Sequence, residues 1–145
     1  MGDIMERKAS AVWNGTLREG NGTISVPSDV LKRAAYTFAT RFENAAGTNP
    51  EELVAAAHAA CFSMALAGKL TVAHLTPARI ETTATVTLEP TDAGQTVTAV
   101  HLHSRASVPG ASAQAFAAAA ADAKATCPIS RLLNARITLD AALDA

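Results

Sequence analysis

Two cysteines, Cys61 and Cys127, are the side chains of this sequence best suited to covalent chemistry. They do not form a Cys-x-x-Cys motif and are too few for a disulfide scaffold, so we expect free thiols in a reducing compartment. A lone cysteine in an alanine-rich helix is more often a small buried apolar residue than a reactive one. Reactivity requires a thiolate, and lowering a thiol pKa by about 2–3 units takes roughly 3–4 kcal/mol of preferential stabilisation. The surroundings of each cysteine therefore decide whether it reacts.

The two cysteines are predicted to have different surroundings. Cys127 precedes Pro128, which ends one helix and begins a short one, so its sulfur is expected near unpaired N–H groups that favour a thiolate. Cys61 is predicted to lie in the middle of a helix beside apolar side chains such as Phe62 and Met64, which raise a thiol pKa. Cys61 therefore needs a cation supplied by another residue.

Candidate cations for Cys61 are Arg41, Lys69, His58, Arg18 and Arg131. His58 lies three residues before Cys61 on the same helical surface, although packing and a structural hydrogen bond explain a histidine among alanines at least as well. Arg41 stands in an apolar stretch. A guanidinium there needs a carboxylate or a thiolate partner, unless it points to solvent from an edge strand.

Glu51 is a candidate partner for Arg41, because arginine and a carboxylate form bidentate pairs. Its position in the first turn of a predicted helix also explains an acidic residue without any function. Ten helical residues rise about 15 Å, so Glu51 and Cys61 cannot share one site on a single straight helix. If both serve one reaction, either Arg41 bridges the distance or a second subunit brings its Glu51 to this Cys61.

The elements predicted to position these residues are short strands and helices. Residues 9–13 and 23–26 are β-prone and separated by turn signals, which predicts a hairpin, and residues 36–42 are a further extended segment. A helix over 50–70 begins with Pro50 and two glutamates. Strands follow over 80–88 and 96–108, then helices over 112–126 and 128–134 and a strand over 136–142. This order predicts an α+β fold in a single domain, residues 1–145, with antiparallel sheets and two main helices.

Composition argues against several partners. Twelve basic and thirteen acidic residues give a formal charge of −1, which supplies no attraction for nucleic acid or an anionic membrane. The apolar run 54–68 is interrupted by His58 and is shorter than the roughly 20 residues that span a bilayer. The first residues lack the apolar core of a secretory signal, which indicates a cytoplasmic protein. Aromatic residues are only 4%, so the core is modest and dimerisation would help stability.

Two other interpretations stay open. His101 and His103 share one strand face and, with His74, form a weak metal-binding hypothesis, although solvent-facing polar residues of a hairpin explain them adequately. An alanine-lined dimer cavity would also suit a carrier of a small apolar ligand, with both cysteines merely packed. Such a carrier would keep its ligand affinity after Cys61→Ser and would lose no thiols to peroxide.

Motifs of one known family recur through nearly the whole chain. They are Trp13-Asn-Gly, Thr40-Arg-Phe-Glu, the run from Gly47 through Cys61 to Leu66, Cys127-Pro-Ile-Ser-Arg-Leu-Leu-Asn, and Ile137-Thr-Leu-Asp. The blocks around the two cysteines are specific rather than generic. In them the sequence strongly resembles the OsmC/Ohr family, the osmotically inducible and organic hydroperoxide resistance proteins, and most closely its OsmC branch.

The resemblance implies a thiol peroxidase that uses no haem, metal or flavin cofactor. Cys61 then corresponds to the peroxidatic cysteine, Cys127 to the resolving cysteine, and Arg41 with Glu51 to the pair that activates the thiolate. Arg18 is the alternative arginine, because the Ohr branch takes this residue from a more N-terminal loop. The family forms intertwined homodimers with active sites at the subunit interface. The resemblance also implies an OsmC-like fold and reduction of the disulfide by a dithiol, either a lipoylated protein or a small molecule.

The implied chemistry leads to one structural requirement and one expected substrate preference. A Cys61 sulfenic acid must condense with Cys127, which requires Cα atoms less than about 7 Å apart. An apolar site lined by residues such as Phe42, Phe62 and Met64 would favour organic hydroperoxides over hydrogen peroxide.

Overall fold

β-prone residues and turn signals at the start of the chain produce a three-stranded antiparallel sheet. In the computed structural model, which describes residues 2–144, its strands are β1 (Ser10–Asn14), β2 (Asn21–Ser25) and β3 (Ala34–Tyr36), in the order β1-β2-β3. β1 and β2 pair with each other directly, so the predicted hairpin is confirmed. The sheet belongs to the first of two structural units, which ends at Leu53 and is called here the N-terminal unit.

The prediction of an extended segment over 36–42 is wrong beyond Tyr36. Residues Phe38–Phe42 form a short helix, α1. Thr37 caps this helix, because its hydroxyl accepts a hydrogen bond from the N–H of Thr40 while the Thr40 hydroxyl accepts one from the N–H of Thr37. This reciprocal cap satisfies two N–H groups within four residues and outweighs the β-propensity of the aromatic and threonine side chains.

Helix α2 (Pro50–Val72) extends two residues beyond its predicted end. Asn49 caps it by accepting a hydrogen bond of 2.7 Å from the N–H of Glu52. Among the described residues α2 is the one helix long and apolar enough to cross a membrane, a test that core helices of soluble proteins also pass. Its side chains at intervals of four residues, His58, Phe62, Leu66 and Leu70, are buried within the protein.

The second unit begins at Val54 and is called here the C-terminal unit. Its sheet contains β4 (Arg79–Thr91), β5 (Gly94–Ser107) and β6 (Arg136–Leu143), in the order β4-β5-β6. Helices α3 (Ala113–Thr126) and α4 (Pro128–Leu132) connect β5 to β6. The predicted α+β class with two main helices, α2 and α3, is therefore confirmed.

The prediction of purely antiparallel sheets is wrong for the last strand. β4 and β5 are antiparallel, but β6 runs parallel to β5, with Val100 opposite Ile137 and Leu102 opposite Leu139. A parallel neighbour needs a crossover of a dozen or more residues, and the connection through α3 and α4 supplies it. The second sheet is therefore mixed.

The core of the C-terminal unit lies between its helices and one face of its sheet. Its buried apolar side chains include Phe62, Leu66 and Leu70 of α2, Val100, Leu102 and Ala106 of β5, and Phe116, Ala119, Ala120 and Ala123 of α3. β4 and β6 alternate between exposed and half-buried residues, as strands with one wet face do. This core holds the face of α2 on which His58 lies.

Candidate active site

The two cysteine sulfurs lie together in the C-terminal unit. Cys61 is in the middle of α2 and Cys127 stands between α3 and α4, and their Sγ atoms are 3.0 Å apart. Both are free thiols. A disulfide has an S–S distance near 2.05 Å, so a displacement of about 1 Å would join them. The predicted approach of the two sulfurs is therefore confirmed.

Pro128 determines the backbone at Cys127. The residue before a proline avoids the α region, and Cys127 has φ −52° and ψ 125°. Its N–H still donates to the carbonyl of Ala123, which completes α3, and its own carbonyl accepts from the N–H of Arg131 in α4. Cys127 is the N-cap residue of α4, as predicted, and its sulfur lies near the N–H groups of Ile129 and Ser130 without the close geometry of a capping hydrogen bond.

The pKa values of the two thiols are shifted in opposite directions. Burial raises the pKa of Cys61, and its hydrogen bond with Cys127 raises it further, against a smaller lowering by the backbone of Ile129. Burial also opposes ionisation of Cys127, but polar contacts with Cys61, with the N–H groups of Ser130 and Ile129, and with the Ser130 hydroxyl lower its pKa overall. The local surroundings therefore favour a thiolate on Cys127 and disfavour one on Cys61, as the sequence predicts.

His58 forms its hydrogen bond with a serine and not with Cys61. Its side chain is fully buried, and its Nε2 lies 2.8 Å from the Oγ of Ser130 in α4. Burial lowers the pKa of His58, so the imidazole is neutral at pH 7. Of the two interpretations of His58, the structural hydrogen bond is the one observed. Sequence reasoning missed Ser130. Its position three residues after the N-cap residue Cys127 could have indicated that its side chain lies near the start of α4.

Arg41 and Glu51 form a bidentate pair in the N-terminal unit. Arg41 is in the last turn of α1 and Glu51 in the first turn of α2, with Nε–Oε1 and Nη2–Oε2 distances of 2.8 Å. Hydrogen bonding to Glu51 raises the pKa of Arg41, against a smaller effect of burial. The two side chains are 35% and 16% exposed, so the guanidinium is paired and still partly open. The expected partnership of these two residues is present.

Arg18 has a different contact in the same unit. Its guanidinium carbon lies 4.7 Å from the centroid of the Phe38 ring, a cation–π arrangement. The carboxylate of Glu51 is taken by Arg41. Arg41 is therefore the arginine whose geometry matches the expected pair.

An apolar cavity of about 230 Å³ opens beside Arg41. Its walls are formed by Trp13, Leu17, Tyr36, Thr37, Phe38, Arg41, Phe42 and Pro50. Phe42 lines it as predicted for an apolar site, but Phe62 is fully buried in the core and Met64 is 78% exposed. Two residues apart on a helix lie on nearly opposite faces, so α2 cannot present Phe62 and Met64 to one site. Sequence reasoning missed the aromatic wall from the first sheet, since strand pairing alone brings Trp13 and Tyr36 together.

The histidines of β5 lie outside both groups of residues. The Nδ1 of His101 lies 2.7 Å from the hydroxyl of Thr138, and His103 lies 3.5 Å from the carboxylate of Asp140. Within residues 2–144 neither belongs to a cluster of three potential metal ligands. Contacts across the sheet surface account for both side chains.

Residues 43–142 match the family model described as OsmC-like protein. The chain belongs to the OsmC-like family. Within that family, Peroxiredoxin OsmC of Escherichia coli (strain K12) is 50% identical over 136 residues, which cover 94% of this chain and 95% of that protein. Membership confirms the resemblance drawn from the motifs around the cysteines.

Solved structures share the fold of this OsmC-like chain. An OsmC-like protein of unknown function from Vibrio cholerae superposes with a TM-score of 0.76 at 16% identity, covering 95% of this chain and 99% of that one. An organic hydroperoxide resistance protein from Elizabethkingia anophelis, with a crystallant-derived thiocyanate bound, has a TM-score of 0.74 at 23% identity and covers 99% of both chains. These likenesses identify an OsmC-like fold.

Proposed function

We propose that this OsmC-like protein is a thiol peroxidase in which Cys61 reduces a hydroperoxide and Cys127 resolves the product as a disulfide. The observation that carries the proposal is the 3.0 Å separation of two free thiols. A sulfenic acid formed on one sulfur is then captured by the other before further oxidation. The 50% identity to Peroxiredoxin OsmC of Escherichia coli supports the same class of reaction.

Access decides which sulfur meets the peroxide. Cys61 is partly exposed, whereas Cys127 is fully buried. Substrate and reductant therefore reach the Cys61 sulfur first. This assigns the peroxidatic role to Cys61 and the resolving role to Cys127.

The reaction proceeds in three balanced steps. The Cys61 thiolate attacks the distal oxygen of the hydroperoxide, the O–O bond breaks, and the leaving alkoxide takes up a proton to give the alcohol. The Cys127 thiolate then attacks the Cys61 sulfur, an S–S bond forms, and hydroxide leaves and is protonated to water. A dithiol finally reduces the disulfide, returning two thiols while becoming a disulfide itself. No metal or organic cofactor enters any step.

We assign activation of Cys61 to Arg41. Burial raises the pKa of Cys61, so this thiol needs a positive group that its own surroundings do not provide. Arg41 is held by two hydrogen bonds to Glu51, and within the described residues its other N–H groups form no hydrogen bond, so they are available to a thiolate and a peroxide oxygen. In this proposal the arginine reaches Cys61 within one subunit or across a subunit interface, and residues 1–145 act as one domain.

A homodimer is part of the proposal. Several large apolar side chains are exposed in the single chain, among them Met64 and Val72 of α2 at 78% and 80% and Leu132 of α4 at 73%. Burial of these side chains against a second copy would stabilise the assembly. The family resemblance places the active sites at that interface. Light scattering of the purified protein should give twice the mass of 14.9 kDa.

We propose organic hydroperoxides as the preferred substrates. The cavity beside Arg41 is walled by aromatic and aliphatic side chains, which suits an alkyl or aryl group and offers little to hydrogen peroxide. The reductant is a dithiol, either a lipoylated protein or a small molecule. We place the protein in the cytoplasm, where a reducing thiol pool maintains both cysteines as thiols.

Oxidation of the wild type and two variants tests the proposed function. One equivalent of cumene hydroperoxide is added to wild type, Cys61→Ser and Cys127→Ser, and intact mass and free thiols are measured. Wild type should lose two thiols as an internal disulfide, and Cys61→Ser should not react. Cys127→Ser should stop at a Cys61 sulfenic acid with one equivalent and proceed to sulfinic or sulfonic acid when two or three equivalents are added. Equal reactivity in all three proteins would exclude the peroxidase, and unreactive cysteines with retained apolar ligand binding would support a carrier instead.

A further inference from the structure

The steps above make no use of the buried pair formed by His58 and Ser130. We propose that Ser130, held by His58, is a positioning residue that keeps a hydroxyl donor at the Cys127 sulfur and thereby speeds formation and opening of the Cys61–Cys127 disulfide. The inference rests on the proposed function, because it assigns a partner to the resolving cysteine.

The backbone of α4 places Ser130 beside Cys127. The N–H of Arg131 donates to the carbonyl of Cys127 at 3.1 Å, so Cys127 and Ser130 lie at the start of the same helical turn. Ser130 is 9% exposed and both Cys127 and His58 are 0% exposed. The Ser130 hydroxyl is close enough to Cys127 to lower the pKa of its thiol. Without competing water, a hydroxyl at this place interacts strongly with a negative sulfur.

The unpartnered nitrogen of His58 decides the direction of its hydrogen bond. A neutral imidazole carries one N–H and one lone pair, and the buried Nδ1 has no hydrogen-bond partner among residues 2–144. If Nε2 accepted from Ser130, the single N–H would stand unpartnered on Nδ1, where burial makes it costly. With the proton on Nε2, His58 donates to the Ser130 oxygen, and the serine hydrogen stays free to point at Cys127. His58 therefore orients Ser130 as a donor.

The groups that lower the pKa of Cys127 belong to α2 and α4. They are the Cys61 side chain in α2, the N–H group of Ile129 in α4, and the N–H group and hydroxyl of Ser130 in α4. The charged residues of the elements that pack around this position are Lys69 of α2, which pairs with Asp122 of α3 at 3.1 Å, Lys124 of α3, Arg131 of α4, and Arg136 and Asp140 on the exposed face of β6. His58 is the titratable group bonded to Ser130 itself.

Both redox steps that involve Cys127 place negative charge on its sulfur. Cys127 attacks the Cys61 sulfenic acid as a thiolate. When an external dithiol attacks the more accessible Cys61 sulfur, Cys127 leaves as a thiolate. A hydroxyl donor held at this sulfur lowers the barrier to both steps, while oxidation of Cys61 by the hydroperoxide does not depend on it.

The experiment measures the ionisation of Cys127 separately from peroxide chemistry. In a Cys61→Ser background, the thiolate absorbance of Cys127 is followed against pH for Ser130, Ser130→Ala and Ser130→Thr. We expect the midpoint of Ser130→Ala to rise by about one pH unit, equivalent to a tenfold change, and Ser130→Thr to restore it. In the protein with both cysteines, Ser130→Ala should slow disulfide formation after one equivalent of cumene hydroperoxide about threefold at pH 7, because a tenfold smaller thiolate fraction is partly offset by a more nucleophilic thiolate.

Two controls separate positioning from packing. Ser104→Ala removes another fully buried hydroxyl, one bonded to Thr82, and should leave the midpoint and the rate of disulfide formation unchanged. Oxidation of Cys61 in a Cys127→Ser background should be equally fast with and without Ser130→Ala. An unchanged midpoint in Ser130→Ala overturns the proposal, even if disulfide formation slows, because a slower rate alone reflects disturbed packing.

A second variant covers failure of Ser130→Ala to fold. His58→Leu removes the group that orients the hydroxyl and should raise the Cys127 midpoint in the same direction by a smaller amount. An unchanged midpoint in that variant also overturns the proposal. If instead Cys61 is not oxidised by peroxide in any protein, the proposed function fails, while the midpoint of Cys127 still decides the role of Ser130.

Discussion

The surroundings of Cys61 and Cys127 differ greatly although their sulfurs are 3.0 Å apart. Cys127 stands at a break between two helices, where the N–H groups of Ile129 and Ser130 are available to lower its pKa. Cys61 stands inside α2, where backbone N–H groups are already committed to the helix, and burial raises its pKa. Acidity and access are thus separated, since the more acidic sulfur is buried and the accessible sulfur is not activated locally.

This difference shows how a cysteine pair divides the work of a peroxidase. A sulfur at a helix break is activated by its own backbone, whereas a sulfur inside a helix depends on a group brought from elsewhere in the fold or the assembly. The chemistry proposed for Cys61 therefore depends on Arg41, and the chemistry proposed for Cys127 does not.

Arg41→Ala gives the largest expected effect on that comparison. Loss of roughly 3–4 kcal/mol of thiolate stabilisation should lower kcat/KM for cumene hydroperoxide by about 100-fold or more. The titration midpoint of Cys127 should not move. Steady-state peroxide consumption and the pH titration measure the two quantities.

Arg18→Ala is the matched control for Arg41→Ala, because both arginines lie in the N-terminal unit and both face an aromatic ring. It should change kcat/KM by about twofold at most, as expected for loss of a cation–π contact near the surface. A larger loss in Arg18→Ala than in Arg41→Ala would assign the activating charge to Arg18 and reverse the assignment made here.

Glu51→Gln should have a smaller effect in the same direction. The amide keeps one acceptor for Arg41 but loses the charge and the bidentate geometry, so the guanidinium is held less firmly. Because Arg41 is 35% exposed, water replaces part of the lost interaction. We expect kcat/KM for cumene hydroperoxide to fall about tenfold, which corresponds to about 1.4 kcal/mol. A loss as large as that of Arg41→Ala would show that Glu51 acts on the peroxide or the thiol directly.

The features that sequence predicts well are those determined within a few residues. Pro50 with its following glutamates located the start of α2, and Cys127 before Pro128 located the helix break and the more acidic thiol. The helix at Phe38–Phe42 was missed because two threonines cap each other there, a contact that outweighs the propensities of the residues between them.

Features that depend on contacts between residues far apart in the chain could not be predicted from the sequence. The parallel alignment of β6 with β5 follows from the route taken by α3 and α4, which no local pattern specifies. The hydrogen bond between His58 and Ser130 joins residues 72 positions apart, so the residues around His58 could not identify its partner. The family resemblance supplied the pairing of the cysteines, which spacing alone did not.

The smallest expected effect concerns acid stability and belongs to the neighbourhood of Cys127. Burial lowers the pKa of His58 below the value of about 6.5 that an unfolded chain has, so between these two pKa values the unfolded state binds more protons than the folded state. The free energy of unfolding must then decrease as pH falls below about 6.5, by at most about 1.4 kcal/mol per pH unit from this group.

His58→Leu removes that contribution. Between pH 7 and pH 5, urea unfolding should therefore show a smaller decrease in the free energy of unfolding for the variant than for wild type. Ser104→Ala, which alters a buried hydroxyl and no titratable group, should keep the full loss. Equal acid losses in wild type and His58→Leu would show that burial does not lower the pKa of His58 in the folded protein.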